Sequence, residues 1–167
     1  QEDPSGIVQR TAVLNALKEG APSDGYLAIV TYPEALIEKV VSSEKLRTNT
    51  LKMSVGEKVS IEFVRDVLLE YSFERVDFVS EPGQFAVRGG IVDIFSFSDN
   101  KPYRVDFFGD EVESLRSFNI DTQLSEDKLS VIEVVPNLKN ASLSELKVSI
   151  FDYVPPTTMF WLEEMDY

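Results

Sequence analysis

Arg104, Asp106 and Phe108 alternate through the segment PYRVDFFGDEVE. A β-strand there turns all three to one face, because successive side chains point to opposite sides of a sheet. A cation, an anion and an aromatic ring on one surface can do recognition chemistry. Guanidinium groups pair with carboxylates and the ring fills an apolar pocket, and both residue types are enriched at protein–protein interfaces. Arg88, just before Gly89-Gly90, is a further cation at a strand end. The bland alternative is a solvated face, in which Arg104 pairs with Asp106 or Glu113 across the sheet and Phe108 tucks under a loop.

Other carboxylates could suggest catalysis. Asp110 and Glu111 are adjacent, and Glu163 and Glu164 follow an apolar run, where a motor protein would hold a magnesium-binding acid. The chain has no histidine and no cysteine. It therefore lacks the commonest general base, the commonest metal ligand and any thiolate nucleophile. No G-x-x-x-x-G-K-[ST] phosphate loop occurs, and Gly83, Gly89 and Gly90 sit between strand patterns as turn glycines. Asp110/Glu111 reads as a solvated acidic pair, Glu163/Glu164 as structural or a relic. No catalytic, cofactor-binding or metal residue is assigned, and the chain is not expected to be an enzyme.

The global charge points the same way. With 16 Lys plus Arg against 29 Asp plus Glu the net charge is −13, a field that opposes phosphate backbones and argues against a nucleic-acid-binding module. No apolar run approaches the roughly 18 residues of a membrane span, and no signal-peptide pattern opens the sequence. A cytoplasmic, monomeric chain is expected, and the start at Gln1 reads as a piece of a longer protein.

The elements that must position these residues follow from periodicity. Ile7, Val8, Thr11, Leu14 and Leu17 predict a helix after Asp3-Pro4-Ser5, stopped at Gly20. Residues 26–30 predict a buried strand, with Tyr26 and Tyr32 as packing residues. Pro33 predicts the first turn of a helix lined by Ala35, Leu36 and Val40, with Ile37 a further candidate. Residues 51–55 alternate weakly and predict a strand. Ser60 caps a helix with Ile61, Val64, Val67 and Leu68 on its apolar stripe. Strands are then predicted at 75–79, 84–88, 91–97, 102–108, 111–118 and 131–135, a meander of hairpins. A two-residue Gly109-Asp110 loop would set Phe108 opposite Glu111, Phe107 opposite Val112, Val105 opposite Ser114 and Arg104 opposite Leu115. The drier Val105, Phe107, Val112 face should pack on the helix of residues 60–71. Residues 143–153 predict an amphipathic helix, and 157–162 an apolar strand with Trp161 in a core.

The fold class expected is α/β: an α/β layer built from residues 1–50 and 136–167, with an inserted α+β domain at 51–135 built on an antiparallel β-meander.

The stretches EPGQFAVRGGIVDIF and PYRVDFFGDEVESLRSFNIDTQLS resemble the amino-terminal module of the bacterial transcription-repair coupling factors, which is itself related to the excision-repair protein UvrB. The corresponding region of UvrB is the alternative. UvrB tends to carry a second arginine where this chain has Ala86, and it continues differently from Ile120-Asp121-Thr122-Gln123, so the coupling factors are favoured. The resemblance implies that residues 51–135 bind UvrA through Arg88, Arg104 and Phe108, with Asp106 a fourth contact by similarity to UvrB. It implies that the flanking layer is a partial motor-like α/β layer lacking a nucleotide site, part of a degenerate helicase-like domain. It also implies that the full-length protein is an ATP-dependent DNA translocase, which meets RNA polymerase and DNA through parts absent here.

Overall fold

The computed structural model describes residues 4–137 and 147–162. In chain order the elements are α1 (Pro4–Glu19), α2 (Pro33–Ile37), β1 (Val40–Val41), α3 (Ser43–Thr48), β2 (Leu51–Ser54), α4 (Ile61–Glu70), β3 (Glu74–Arg75), β4 (Gln84–Arg88), β5 (Ile91–Ile94), β6 (Tyr103–Phe108), β7 (Glu111–Phe118), β8 (Ser125–Leu129), β9 (Val131–Val134), β10 (Lys147–Val148) and a 3-10 turn (Ile150–Asp152). The fold is mixed, with mostly antiparallel pairing.

The centre is a six-stranded sheet in the order β3-β4-β5-β6-β7-β8. β4 to β7 form a meander, as the spacing of the turn residues predicts, and β8 extends it. β3 adds to it in parallel beside β4. The strand expected at 75–79 is shortened to Glu74–Arg75. Val76 still donates its N–H to the Phe85 carbonyl at 2.9 Å. The chain then leaves the ladder so that Val76 and Val79 meet Ala86, Phe95 and Phe118 on one side of the sheet, because residues three apart cannot share a face of a regular strand.

The opposite side of the sheet carries the main core. Phe85, Val92, Ile94, Tyr103, Val105, Phe107, Val112 and Leu115 pack there with Val64 and Leu68 of α4 and with Met53, Ile132 and Val134 of the β2–β9 pair. The dry face therefore lies on the helix, as expected. α4 starts where Ser60 Oγ accepts a hydrogen bond from the Phe63 amide at 3.2 Å. This satisfies one donor that a helix start leaves open. Ser60→Ala is expected to lower stability by about 1 kcal/mol, read as a lower urea midpoint with an unchanged helical spectrum. An unaltered midpoint would show that the cap is dispensable.

A bulge corrects the hairpin register. Phe108 pairs with Glu111 and Phe107 with Val112, as the two-residue loop dictates. The register then shifts, and Asp106 faces Ser114, Val105 faces Leu115 and Arg104 faces Arg116. Glu113 is the extra residue. Strict alternation would expose Leu115 opposite Arg104, whereas one inserted residue returns it to the core. β8 was not expected: SEDKL has no apolar alternation, and it joins β7 through its backbone as a charged edge strand.

A second core joins the two ends of the described chain. Leu14, Val40, Val41, Leu46 and Val135 are buried together, with Val148, Ile150 and Tyr153 against them. Tyr153 donates its hydroxyl to the Val41 carbonyl at 2.6 Å, and burial pushes its pKa up to about 12. α1 forms as predicted. The helix from Pro33 stops at Ile37, leaving Ile37 exposed, and Val40 enters β1 against Val148. α3 was not anticipated.

Three expectations for this part are corrected. Residues 26–30 form no strand, and Tyr26, Val30 and Tyr32 are exposed. Residues 157–162 form no strand either, and Trp161 is almost fully exposed, not core. An extended segment becomes a strand only against a partner for its N–H and C=O groups, and none of the described strands lies beside these two. Within the predicted helix at 143–153, the described residues form β10 and the 3-10 turn. Asp3, Leu143, Leu146, Glu163 and Glu164 lie outside the described residues.

Candidate docking face

The face of the sheet turned away from α4 carries the side chains singled out by alternation. β6 offers Arg104, Asp106 and Phe108 to it, because Tyr103, Val105 and Phe107 fill the core. β4 adds Arg88, since Phe85 lies in that core and Val87 packs against it. All four predicted residues thus share one surface. Toward the β3 end, Val76, Val79, Ala86, Phe95 and Phe118 cover part of that face. No group of three or more His, Cys, Asp or Glu among the described residues is placed to hold a metal ion.

The charges on this face are paired, though not with the partners that the solvated-face alternative supposes. Arg104 does not bond Asp106 or Glu113. Its Nε donates to Asp93 Oδ1 at 2.7 Å and its Nη2 to Asp93 Oδ2 at 2.9 Å. Nη1 donates to the Gln123 carbonyl at 3.1 Å, and the guanidinium lies 4.5 Å from the centre of the Phe118 ring. This cradle leaves the Arg104 side chain 14% exposed and Asp93 completely buried, at 0%. The hydrogen bond to Asp93 raises the Arg104 pKa above its already high ordinary value, with burial opposing, so the group stays charged.

Arg88 reaches the same aspartate. Its Nη2 bonds Asp93 Oδ2, while Nη1 donates to the Asp77 carbonyl at 2.9 Å. Phe78 lies under it, with its ring centre at 5.4 Å. The Arg88 side chain is 38% exposed, so it offers more surface than Arg104. Asp106 is paired with Arg116 and accepts from Ser114 Oγ at 2.5 Å. The register shift sets Arg116 opposite Arg104, a like-charged pair that would repel. Each guanidinium is instead matched to a different aspartate, which offsets that repulsion. Three arginines and two aspartates leave the cluster with one net positive charge within a strongly acidic chain.

Phe108 differs from these residues. It stands 79% exposed at the end of β6, beside the turn at Gly109. Glu111 is opposite it, and Val55 and Glu113 share a shallow depression with it. It does not tuck under a loop. Nothing in the packing of the described chain requires an aromatic ring there.

Alternation in strand β6 did not reveal Asp93 and Arg116. The signal for Asp93 was present: in the Gly89-Gly90 hairpin Arg88 pairs with Ile91 and Ala86 with Asp93, which puts Asp93 on the face of Arg88. Arg116 could not be placed without the bulge.

Residues 51–139 match the family described as UvrB interaction domain. The chain is similar to the transcription-repair-coupling factor of Bacillus subtilis, with 36% identity over 134 residues, 80% of this chain and 11% of that protein. To that of Escherichia coli the identity is 35% over 101 residues, 60% of this chain and 9% of that protein. To that of Myxococcus xanthus it is 30% over 134 residues, 80% and 11%. The chain thus spans about a tenth of the length of these curated relatives.

Proposed function

Because this chain belongs to the UvrB interaction domain family, we propose that it is a docking module whose partner is UvrA, and that Arg88, Arg104, Asp106 and Phe108 form its contact face. The observation that carries this reading is the surface itself. One side of the sheet is sealed by α4, while the other holds a paired arginine–aspartate cluster and an exposed phenylalanine. Apolar anchors beside ordered charges are the composition of a protein interface. A guanidinium cluster suits carboxylates on the partner, and a ring that is exposed when free suits an apolar pocket.

By the same likeness the module would serve a coupling factor, an ATP-driven DNA translocase of the bacterial cytoplasm that removes stalled RNA polymerase and calls in excision repair. Its motor and polymerase contacts would then belong to other parts of that protein. Residues 1–50 and 136–167 would be parts of a degenerate helicase-like layer, a role that suits the exposed apolar residues of segments 26–30 and 157–162, which have surface to give to a neighbour.

The direct test is calorimetric titration of the chain with purified UvrA at two salt concentrations. Saturable one-to-one binding that weakens modestly with salt is expected, since the cluster carries one net charge and exposed charges are screened. No binding at micromolar concentrations would end the docking reading. A saturable affinity for ATP or DNA would favour an enzymatic or nucleic-acid-binding role instead.

A further inference from the structure

We propose that Asp93 is a positioning residue, one buried carboxylate that holds Arg88 and Arg104 in the arrangement a partner meets and makes the two arginines act as a unit. The proposal rests on the docking role above. Both Asp93 oxygens are used: Oδ1 accepts from Arg104 Nε, and Oδ2 accepts from Nη2 of each arginine. The bidentate bond fixes the plane of the Arg104 guanidinium. The Phe118 ring holds it at 4.5 Å and the Gln123 carbonyl takes Nη1. Gln123 adopts a left-handed φ of 59°, a conformation uncommon outside glycine, so the loop is specifically shaped to bring its carbonyl there. Arg88 is held at its other nitrogen by the Asp77 carbonyl and against Phe78. Long flexible cations lose rotamer freedom when a partner immobilises them. Here that ordering is completed before the partner arrives.

A different role for the same carboxylate would have the opposite sign. If Asp93 were only a counter-ion competing with acidic groups of the partner, removing its charge would free two arginines and tighten binding. If it positions them, removing its charge loosens them and weakens binding.

The experiment is a titration of UvrA with the native chain, Asp93→Asn, Arg88→Ala and the double variant. Asp93→Asn keeps the side-chain shape and is expected to weaken UvrA binding about tenfold, in line with the loss of a charge-assisted bond. The double variant is expected to bind no worse than the weaker single variant, because residues that act as one unit are not additive. Unchanged or tighter binding by Asp93→Asn, or fully additive losses, would overturn the proposal while leaving the docking reading standing. Absence of binding by the native chain would overturn both. Where Asp93→Asn does not fold, exchange of the Arg104 Nε–H with water in the native chain gives the answer by nuclear magnetic resonance. Exchange at least tenfold slower than at exposed Arg47 is expected for a donor locked on a buried carboxylate, and equal rates would overturn the proposal.

Discussion

Phe108→Ala is expected to weaken UvrA binding about a hundredfold, roughly 2.7 kcal/mol, with no measurable change in thermal unfolding. The two halves of this expectation have one cause. Phe108 is 79% exposed and belongs to none of the three apolar clusters, so its truncation costs the free fold less than about 0.5 kcal/mol. On a partner the same ring would bury most of its area, and full burial of a phenylalanine side chain contributes roughly 1.5–3 kcal/mol. Central aromatic anchors reach or exceed the upper end of that range when truncated. Calorimetric titration and a parallel thermal melt measure both halves. Affinity within twofold of the native chain would remove Phe108 from the interface, and a large drop in melting temperature would make it a packing residue.

Arg104→Glu is expected to destabilise the fold by about 3–5 kcal/mol, a substantial share of the 5–15 kcal/mol that a domain commonly has. Asp93 is fully buried and receives two hydrogen bonds from Arg104. Charge reversal would remove both and set a second carboxylate beside the first. It would also withdraw the donor that holds the Gln123 carbonyl and the cation over Phe118. Arg88 would remain as the sole ion-pair partner of Asp93. Charge reversal here therefore does not probe docking alone, and loss of UvrA binding by this variant would report a damaged sheet face. The urea midpoint measures the effect. A variant that unfolds at the native midpoint would show that the Asp93–Arg104 pair does not support the fold. Phe108→Ala and substitutions at the more exposed Arg88 are the cleaner probes of the interface.

The division between these two residues was only half legible in the sequence. Alternation placed Tyr103, Val105 and Phe107 in the core and Arg104, Asp106 and Phe108 on the other face, and the sheet has that arrangement. Alternation says which way a side chain points and nothing about what it meets. Arg104 and Phe108 read alike, as an outward cation and an outward ring. The structure makes one a strut between strands and leaves the other bare. The difference lies in Asp93 on the neighbouring strand β5, directly opposite Arg104, and in the loop that ends at Gln123.

The ends of the chain show the same limit. The apolar runs at 26–30 and 157–162 carry good strand patterns, yet neither is paired among the described residues and much of their apolar surface is exposed. Pattern expresses what a segment could bury. Whether it does so depends on a neighbour with free hydrogen-bonding groups. β8 is the converse case: an unpatterned polar segment that became a strand because the edge of β7 was available to it.

By itself the sequence determined the meander, the helix that seals it, the turn after Phe108 and the membership of its two faces. Each of these follows from local periods and turn residues, which act over a few residues. Tertiary structure alone decided the register beyond Glu113, the pairing of Arg88 and Arg104 on one buried aspartate, and the exposure of Phe108. The register depends on a single inserted residue, because a shift of one residue exchanges the partners of every side chain that follows it. The arginine pairing depends on β4 and β6 flanking Asp93 on β5. Phe108 stays exposed because no other described element packs over the end of β6.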